Sequence, residues 1–177
     1  MEKQLHIGMI EGGIPGIIKI ENVGVNYFHC TKPRGGLWTS TYHPAPARYA
    51  SDWVEWCATN EPSWLGGSRY LIEISSDAKI YIIDNLDDLK ALTIRFQAFH
   101  NTLNPSSRLN WKKIAKEYDG IHLTEKGETD TRYSIPSLHG WDVESTVWLH
   151  NVFSSVELYR DDIVRRPMLI EMLAEVK

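Results

Sequence analysis

The chain has 177 residues, of which 42% are hydrophobic and 24% charged, and its formal net charge is −4 at pH 7. This length suits one domain with its own core, and the charge gives no reason to expect strong nonspecific binding to nucleic acid. Because it contains no signal-peptide core, no apolar run of about 18 residues and no zinc-type spacing of Cys and His, we expect a cytoplasmic protein without a metal ion.

The first half of the chain predicts short strands joined by turns, with one helix among them. β-branched and aromatic residues bounded by Gly, Pro and Asn indicate the strands. Ser51 has the side chain of an N-cap residue and precedes a predicted helix over residues 52–58. The strands are expected over residues 17–20, 25–31, 37–42, 69–75 and 79–83, the last two with a tight connection.

The second half predicts more helix. Leucines at 86, 89 and 92 lie three residues apart and predict a helix with one buried stripe, capped by Asp84 or Asn85. The remaining expected elements are a helix over 110–117, a strand after the turn at 118–120, a polar loop over 125–140, strands near 143–149 and 155–159, and a helix over 161–176. Strands and helices do not alternate regularly, so we expect one α+β domain over residues 1–177.

The run from Trp141 to Leu149 places acidic residues within a predicted strand of β-branched and aromatic residues. Strand side chains alternate between two faces, so Asp142 and Glu144 are expected on the same face. A carboxylate in such an apolar run costs free energy unless a partner or a function requires it. Glu144 is therefore expected either in a functional site or paired with an arginine such as Arg132.

Several further motifs occur in a fixed order along the chain. They are His29-Cys30-Thr31, the segment Gly36-Leu37-Trp38-Thr39-Ser40, the aromatic helix Trp53-Val54-Glu55-Trp56, the turn Tyr118-Asp119-Gly120-Ile121 and the late acid Glu144. In this order they resemble the ADP-ribosyltransferase superfamily, closest to its His-Tyr-Glu branch. Thr39-Ser40-Thr41 also resembles the Ser-Thr-Ser element of the arginine-type toxin branch. Two departures are Cys30 in place of Gly and Trp in place of Tyr on the helix.

The resemblance implies a fold and an activity. The fold is α+β, with two packed small β-sheets that form an NAD cleft and a few flanking helices. The activity is mono-ADP-ribosyl transfer from NAD, which is the substrate, to a macromolecular acceptor with release of nicotinamide. The acceptor is expected to be a protein, with nucleic acid left open, and a compact chain of this kind suggests a toxin or a bacterial or phage effector.

The resemblance also implies roles for three catalytic candidates. Glu144 would stabilise the positive charge that develops on the ribose when nicotinamide leaves, and would hold the 2′-hydroxyl. Asp142 would orient the incoming nucleophile or act as its base. His29 would hydrogen-bond the adenosine-side ribose, which is a binding role rather than proton transfer.

The same resemblance implies a set of NAD-binding residues. The Cys30 backbone would face the nicotinamide amide, Ser40 or Ser51 would donate to that amide, and Arg34 would meet the pyrophosphate. An aromatic ring would stack on nicotinamide, with several candidates for the role. The full set is His29, Cys30, Thr31, Arg34, Trp38, Ser40, Tyr42, Tyr49, Ser51, Trp53 and Trp56.

Other interpretations stay open at this point. Trp53 and Trp56 lie three residues apart, which is ordinary core spacing for a helix, and Thr39 to Thr41 is also compatible with a plain polar strand. The resemblance further implies that the loop over 127–141 selects the acceptor, and Tyr133, His139 and Trp141 are its candidate recognition residues. The rival functions are an NAD glycohydrolase, a silent module that binds NAD or ADP-ribose, and an interaction protein without a nucleotide site.

Overall fold

A computed structural model describes residues 2–8, 32–44, 47, 49–97 and 109–160. The strands in these segments are β1 (Gln4–Ile7), β2 (Leu37–Thr41), β3 (Arg69–Ile74), β4 (Ile80–Ile83), β5 (Gly120–Leu123), β6 (Ser145–Trp148) and β7 (Phe153–Leu158). The helices are α1 (Asp52–Asn60), α2 (Leu86–Phe96), α3 (Trp111–Ile114) and α4 (Glu125–Thr131). The expected α+β class is confirmed. The elements predicted over 17–20, 25–31 and 161–176 lie outside the described residues.

The strands form one seven-stranded sheet in the order β4-β5-β6-β2-β1-β3-β7. Only β4 and β5 run parallel, and the other neighbours are antiparallel. At its centre, β1 and β2 pair over just two positions, Gln4 with Thr41 and Leu5 with Ser40. The described strands thus form one sheet, whose two halves are joined by a short ladder, rather than the two packed sheets expected from the resemblance.

The chain crosses from one half of this sheet to the other between β3 and β4. These strands follow each other closely in sequence, as predicted, but they do not pair. Strand β3 lies between β1 and β7, whereas β4 pairs with β5 at the opposite edge. A short connection thus joins two distant positions in the sheet and does not form a hairpin.

Side-chain caps define the starts of the helices. Ser51 accepts a hydrogen bond from the Val54 N–H and begins α1, and Asn85 accepts from the N–H groups of Asp87 and Asp88 at the start of α2. Both caps agree with the sequence analysis. Helix α2 extends beyond residue 92 to Phe96, and the predicted helix over 110–117 is reduced to the single turn of α3.

The prediction of a loop over 125–140 is wrong in its first half, where α4 lies. Thr124 caps this helix by accepting from the Gly127 N–H, and Glu125 and Glu128 occupy its first turn, where the helix dipole favours acids. The segment has no apolar periodicity, which is why the sequence did not indicate a helix. A 3₁₀ turn over His139–Trp141 then leads toward β6.

In the described segments, three hydrophobic clusters support the sheet, and two of them pack helices against it. The larger one packs α2 and α3 against β4, β5 and β6 and includes the fully buried Trp111. The second packs α1 against β1, through Leu5, Val54 and Cys57. Within the described ranges, no helix is long and apolar enough to cross a membrane.

Gly127 allows α4 to lie directly on the end of β4. A Cβ atom at this position would stand 2.1 Å from the carbonyl oxygen of Ile83, which is backbone and cannot move aside cheaply. We expect Gly127→Ala to lower the free energy of unfolding by about 1–3 kcal/mol or more, despite the better helix propensity of Ala. Urea denaturation followed by tryptophan fluorescence measures this effect.

Gly140→Ala is the matched control, because a Cβ atom there meets nothing within 4 Å. It should leave the denaturation midpoint almost unchanged. Equal stability of the Gly127→Ala protein and the wild type would show that α4 does not rest on Ile83 in this way.

Candidate active site around Glu144

Glu144 lies immediately before β6 rather than inside a strand. The predicted strand began at Val143, but β6 begins at Ser145, and Asp142 has a positive φ of 66°. Strand alternation therefore does not apply to this segment, and the expectation that Asp142 and Glu144 share a strand face is wrong. The Asp142 carboxylate instead pairs with Lys32, with 3.2 Å between its Oδ2 and the lysine Nζ.

Three hydrogen bonds from β2 hold the carboxylate of Glu144. The residue is only 7% exposed. The Ser40 hydroxyl donates to Oε2 at 2.8 Å, and the Thr41 backbone N–H donates to the same oxygen at 3.0 Å. The Thr41 hydroxyl donates to Oε1 at 2.9 Å. Nδ1 of His122 on β5 lies 3.5 Å from Oε1. A buried acid with this many donors is built to carry a negative charge.

The alternative pairing of Glu144 with Arg132 is not observed. Arg132 forms an ion pair with Glu128 one turn earlier and donates a hydrogen bond to the backbone carbonyl of Asp142. Burial raises the pKa of Glu144, and the hydrogen bonds from Thr41 and Ser40 oppose that rise. Hydrogen bonds from the backbone and the hydroxyl groups of β2 thus offset part of the cost of lost hydration.

A cavity of about 220 Å³ opens where β1 and β2 separate, next to the residues that hold Glu144. Its walls include the aromatic rings of Trp38, Trp53 and Trp141 together with His6 and Ser40. Trp38 and Trp141 contact each other edge to face, with ring centroids 4.8 Å apart. Ser40 belongs both to the cavity wall and to the set of donors on Glu144, so the carboxylate lies one residue behind the wall, although Glu144 does not itself line the cavity.

His6 is a candidate that the sequence analysis missed. It lies on β1, and its Nδ1 is 2.8 Å from the carbonyl oxygen of Trp38, across the gap where the β1–β2 ladder has ended. A carbonyl only accepts, so Nδ1 carries the proton and Nε2 is left as an acceptor. Burial lowers the pKa of His6, which favours this neutral form. The alternation of polar and apolar residues over Gln4–Ile7 is the signal that could have indicated β1.

The resemblance implied a histidine on the first strand, and the sequence analysis assigned that role to His29. His29, Cys30 and Thr31 lie outside the described residues. His6 occupies a strand that directly neighbours β2, and it faces the same cavity as Ser40. We therefore add His6 to the candidate site, while the proposed roles of the three other residues stay predictions.

The other predicted NAD-binding residues fall into two groups. Trp38, Ser40 and Trp53 line the cavity. Five others lie elsewhere: Ser51 uses its hydroxyl as the N-cap of α1, Tyr42 and Tyr49 pack against the α1 cluster, Arg34 is exposed, and Trp56 lines a different cleft.

A stack of three tryptophans stands beside the cavity. Trp53 and Trp56 are nearly parallel, with centroids 5.2 Å apart, and the 53% exposed Trp64 contacts both rings. Trp53 reaches the cavity, whereas Trp56 lines a separate cleft. Among the proposed stacking rings on α1, Trp53 is the one placed to meet a ligand in the cavity.

That second cleft, of about 390 Å³, reaches Glu144 from the side of α1 and α4. Acidic side chains dominate its walls. They are Asp52, Glu55, Glu125, Glu128, Asp142 and Glu144, with Arg132 as the single basic residue among the lining residues. Burial raises the pKa of Asp52, and the negative charge of Glu144 adds to that rise.

The segment expected to select an acceptor is partly buried. Trp141 packs against Trp38 and is only 2% exposed, so its predicted place on a recognition surface is wrong. Tyr133 is 85% exposed and contacts the ring of His139, which is also exposed. Tyr133 and His139 thus keep their predicted surface position.

Comparison with protein-family models, with curated proteins and with solved structures gives no match for this chain. In the part of the chain that the structure describes, no group of three or more His, Cys, Asp or Glu side chains could hold a metal ion. The function of the site is therefore inferred from its geometry and from the sequence motifs.

The buried histidines predict a loss of stability in mild acid. Burial lowers the pKa of His6 and His122 below the usual histidine value of about 6.5, so the unfolded chain binds their protons first as the pH falls. The two neutral imidazoles therefore contribute fully to the free energy of unfolding above about pH 6.5. That contribution is lost as the pH falls toward their folded-state pKa values. We expect His122→Asn to reduce the drop in unfolding free energy between about pH 7.5 and about pH 5.5.

Urea denaturation at both pH values measures this drop. His139→Asn, which removes an exposed imidazole, is the control. An equal drop in the His122→Asn protein and the wild type would contradict the burial of a neutral imidazole at His122.

Proposed function

We propose that this protein is a mono-ADP-ribosyltransferase that transfers ADP-ribose from NAD to a protein acceptor and releases nicotinamide. The observation that carries the proposal is the Glu144 carboxylate, buried and held by Ser40 and Thr41 at the edge of a cavity that His6 and three tryptophans line. The order of the motifs along the sequence supports the same activity.

The chemistry needs a fixed negative charge beside a sugar. The bond between the ribose C1′ and the nicotinamide nitrogen breaks, its electron pair leaves with nicotinamide, and the ribose becomes oxocarbenium-like. The acceptor then forms a bond to C1′ and loses its proton. A carboxylate that is already oriented stabilises the developing positive charge without reorganisation during the reaction. Ser40 and Thr41 supply that orientation for Glu144.

The cavity has the surfaces that the nicotinamide half of NAD requires. Its tryptophan walls suit a flat aromatic ring, and Trp53 is the proposed stacking partner. The unprotonated Nε2 of His6 would accept a hydrogen bond from a ribose hydroxyl. A Cβ atom at Gly8 would stand 2.8 Å from this nitrogen, so glycine there keeps its surroundings open.

The second cleft supports transfer to a protein. It reaches Glu144 and shares no lining residue with the cavity, so it would give an acceptor a separate route to the carboxylate. Its acidic walls repel the phosphates of nucleic acid and attract a cationic side chain. A basic segment of a protein is therefore the acceptor that its charge favours, ahead of nucleic acid.

Glu144→Gln tests the activity. Incubation of the pure protein with NAD and a basic protein should release nicotinamide, and the variant should release it about 10²–10³-fold more slowly, because its neutral amide cannot stabilise the oxocarbenium-like ribose. Glu157→Gln changes an exposed acid on β7 and is the matched control. Nicotinamide release is measured by liquid chromatography.

Equal release by the wild type and the Glu144→Gln protein would contradict the proposal. Free ADP-ribose as the sole product would identify an NAD glycohydrolase instead. Binding of NAD in calorimetry without any turnover would identify a silent binding module.

The charge of the second cleft predicts the class of acceptor. With radiolabelled NAD, protamine should be modified faster than single-stranded DNA or RNA. Glu55→Lys places a positive charge in the cleft, so it should lower the ratio of transfer onto protamine to free ADP-ribose by about tenfold. Glu157→Lys is the control for the change of net charge. Faster labelling of DNA or RNA than of protamine would contradict the assignment of this cleft.

A further inference from the structure

Gln4 on β1 is fully buried, and its amide uses all of its hydrogen-bonding capacity. Its Oε1 accepts from the hydroxyl groups of Thr39 at 2.7 Å and Thr146 at 3.2 Å. Its Nε2 donates to the Thr41 hydroxyl at 3.1 Å and to the Glu2 carbonyl at 3.5 Å. Gln4 forms no hydrogen bond with Glu144. Two of its hydrogen-bond partners connect it to that carboxylate, Thr41 directly and Thr146 through His122.

The indole of Trp148, which can only donate a hydrogen bond, fixes the orientation of the Gln4 amide. The indole Nε1–H of Trp148 donates to Thr39 Oγ1 at 2.9 Å, so the Thr39 hydrogen is free to point at Gln4. Oε1 of Gln4 therefore faces Thr39, and Nε2 faces Thr41. Because Thr41 Oγ1 accepts from Gln4, its own hydrogen points to Oε1 of Glu144.

A second branch of the network reaches Glu144 through His122. Thr146 gives its hydrogen to Gln4, so a lone pair of its oxygen faces Nδ1 of His122 at 2.8 Å. Nδ1 must then carry the imidazole proton. Nδ1 also lies 3.5 Å from Oε1 of Glu144, although its hydrogen bond is to Thr146. The first branch thus directs a hydrogen at Oε1, and the second keeps a protonated nitrogen beside the same oxygen.

We propose that Gln4 is a positioning residue of the active site. It directs the Thr41 hydroxyl toward Oε1 of Glu144 and, through Thr146, keeps the His122 proton on the nitrogen beside that oxygen. The catalytic consequence rests on the function proposed above, because these donors favour the ionised carboxylate that ADP-ribosyl transfer needs. The directions of the hydrogen bonds do not depend on that function and are measurable in the protein without any substrate.

Two variants separate this role from simple packing. Gln4→Met preserves the size and removes both the donor and the acceptor. Gln4→Glu preserves the shape but can only accept when ionised, so it draws the Thr41 hydrogen away from Glu144. Ile72→Val is the control, because Ile72 is buried on β3 directly opposite Gln4 and lies outside the polar network.

The first test is the tautomer of His122, which long-range proton–nitrogen NMR of the labelled protein reports near pH 7. The wild type and Ile72→Val should show the Nδ1–H form. In Gln4→Met, Thr146 loses its acceptor and can donate to Nδ1, so the ring should shift to the Nε2–H form. An Nε2–H tautomer in the wild type would overturn the proposal, and so would an unchanged tautomer in a folded Gln4→Met protein.

The second test is the titration of Glu144, followed by carboxyl-carbon NMR and assigned with Glu144→Gln. Both Gln4 variants should move this titration to higher pH, and Ile72→Val should not. If the acid limb of the pH profile of kcat moves up by one pH unit, kcat at pH values below that limb should fall about tenfold, with little change in KM for NAD. An unshifted titration in both Gln4 variants would overturn the proposal.

Other charged groups could also shift this titration. They are His43, Asp52, Glu125 and Glu128, which approach Glu144 from the cleft side. Because these residues are retained in all of the variants and Gln4→Met adds no charge, a shift in the Gln4→Met protein reports the network.

The two proposals fail in different ways. If the tautomer and the titration respond as expected but nicotinamide is never released, the positioning role stands and the transferase function fails. If release depends on Glu144 but the tautomer is Nε2–H in the wild type, the function stands and the positioning role fails. Should Gln4→Met not fold, the wild-type tautomer and Gln4→Glu still decide the matter.

Discussion

The site depends on how the sheet accommodates one buried carboxylate. In the β2–β6 ladder, Leu37, Trp38 and Thr39 pair with Trp148, Val147 and Thr146, and Glu144 follows in the position opposite Thr41. There the regular pairing stops, and the Glu144 side chain accepts the Thr41 N–H. A side-chain carboxylate thus takes the place of a backbone carbonyl, so the strand end stays satisfied while a negative charge is held inside the fold.

The separation of β1 from β2 creates the space beside this charge. After two paired positions the strands diverge, and the side chain of His6 bonds to the Trp38 carbonyl across the gap. The backbone groups exposed by the divergence are therefore partly satisfied by a side chain, which leaves room for a cavity between the halves of the sheet. One departure from regular pairing accounts for both the cavity and the position of the imidazole.

Two environments of different character lie near Glu144. The cavity with its tryptophan walls contains Ser40, which donates to the carboxylate, and Glu144 itself lines the acidic cleft. The stacked pair of Trp53 and Trp56 on α1 contributes one ring to each. In the proposed transfer reaction, this arrangement would give each of the two substrates its own approach. The polar residues behind the sheet, with Gln4 at their centre, then keep the carboxylate in one orientation.

By itself the sequence determined the local features: the α+β class, the caps at Ser51 and Asn85, the strand that follows Gly36, and the prominence of Glu144 as an acid among apolar residues. Each depends on residues within a few positions of one another. Tertiary structure decided that Glu144 binds Ser40, which lies 104 residues away, that Asp142 turns toward Lys32, and that His6 faces the cavity. Strand pairing across the whole chain brings these groups together, and the energy that selects that pairing comes from burial of the hydrophobic clusters rather than from any short motif.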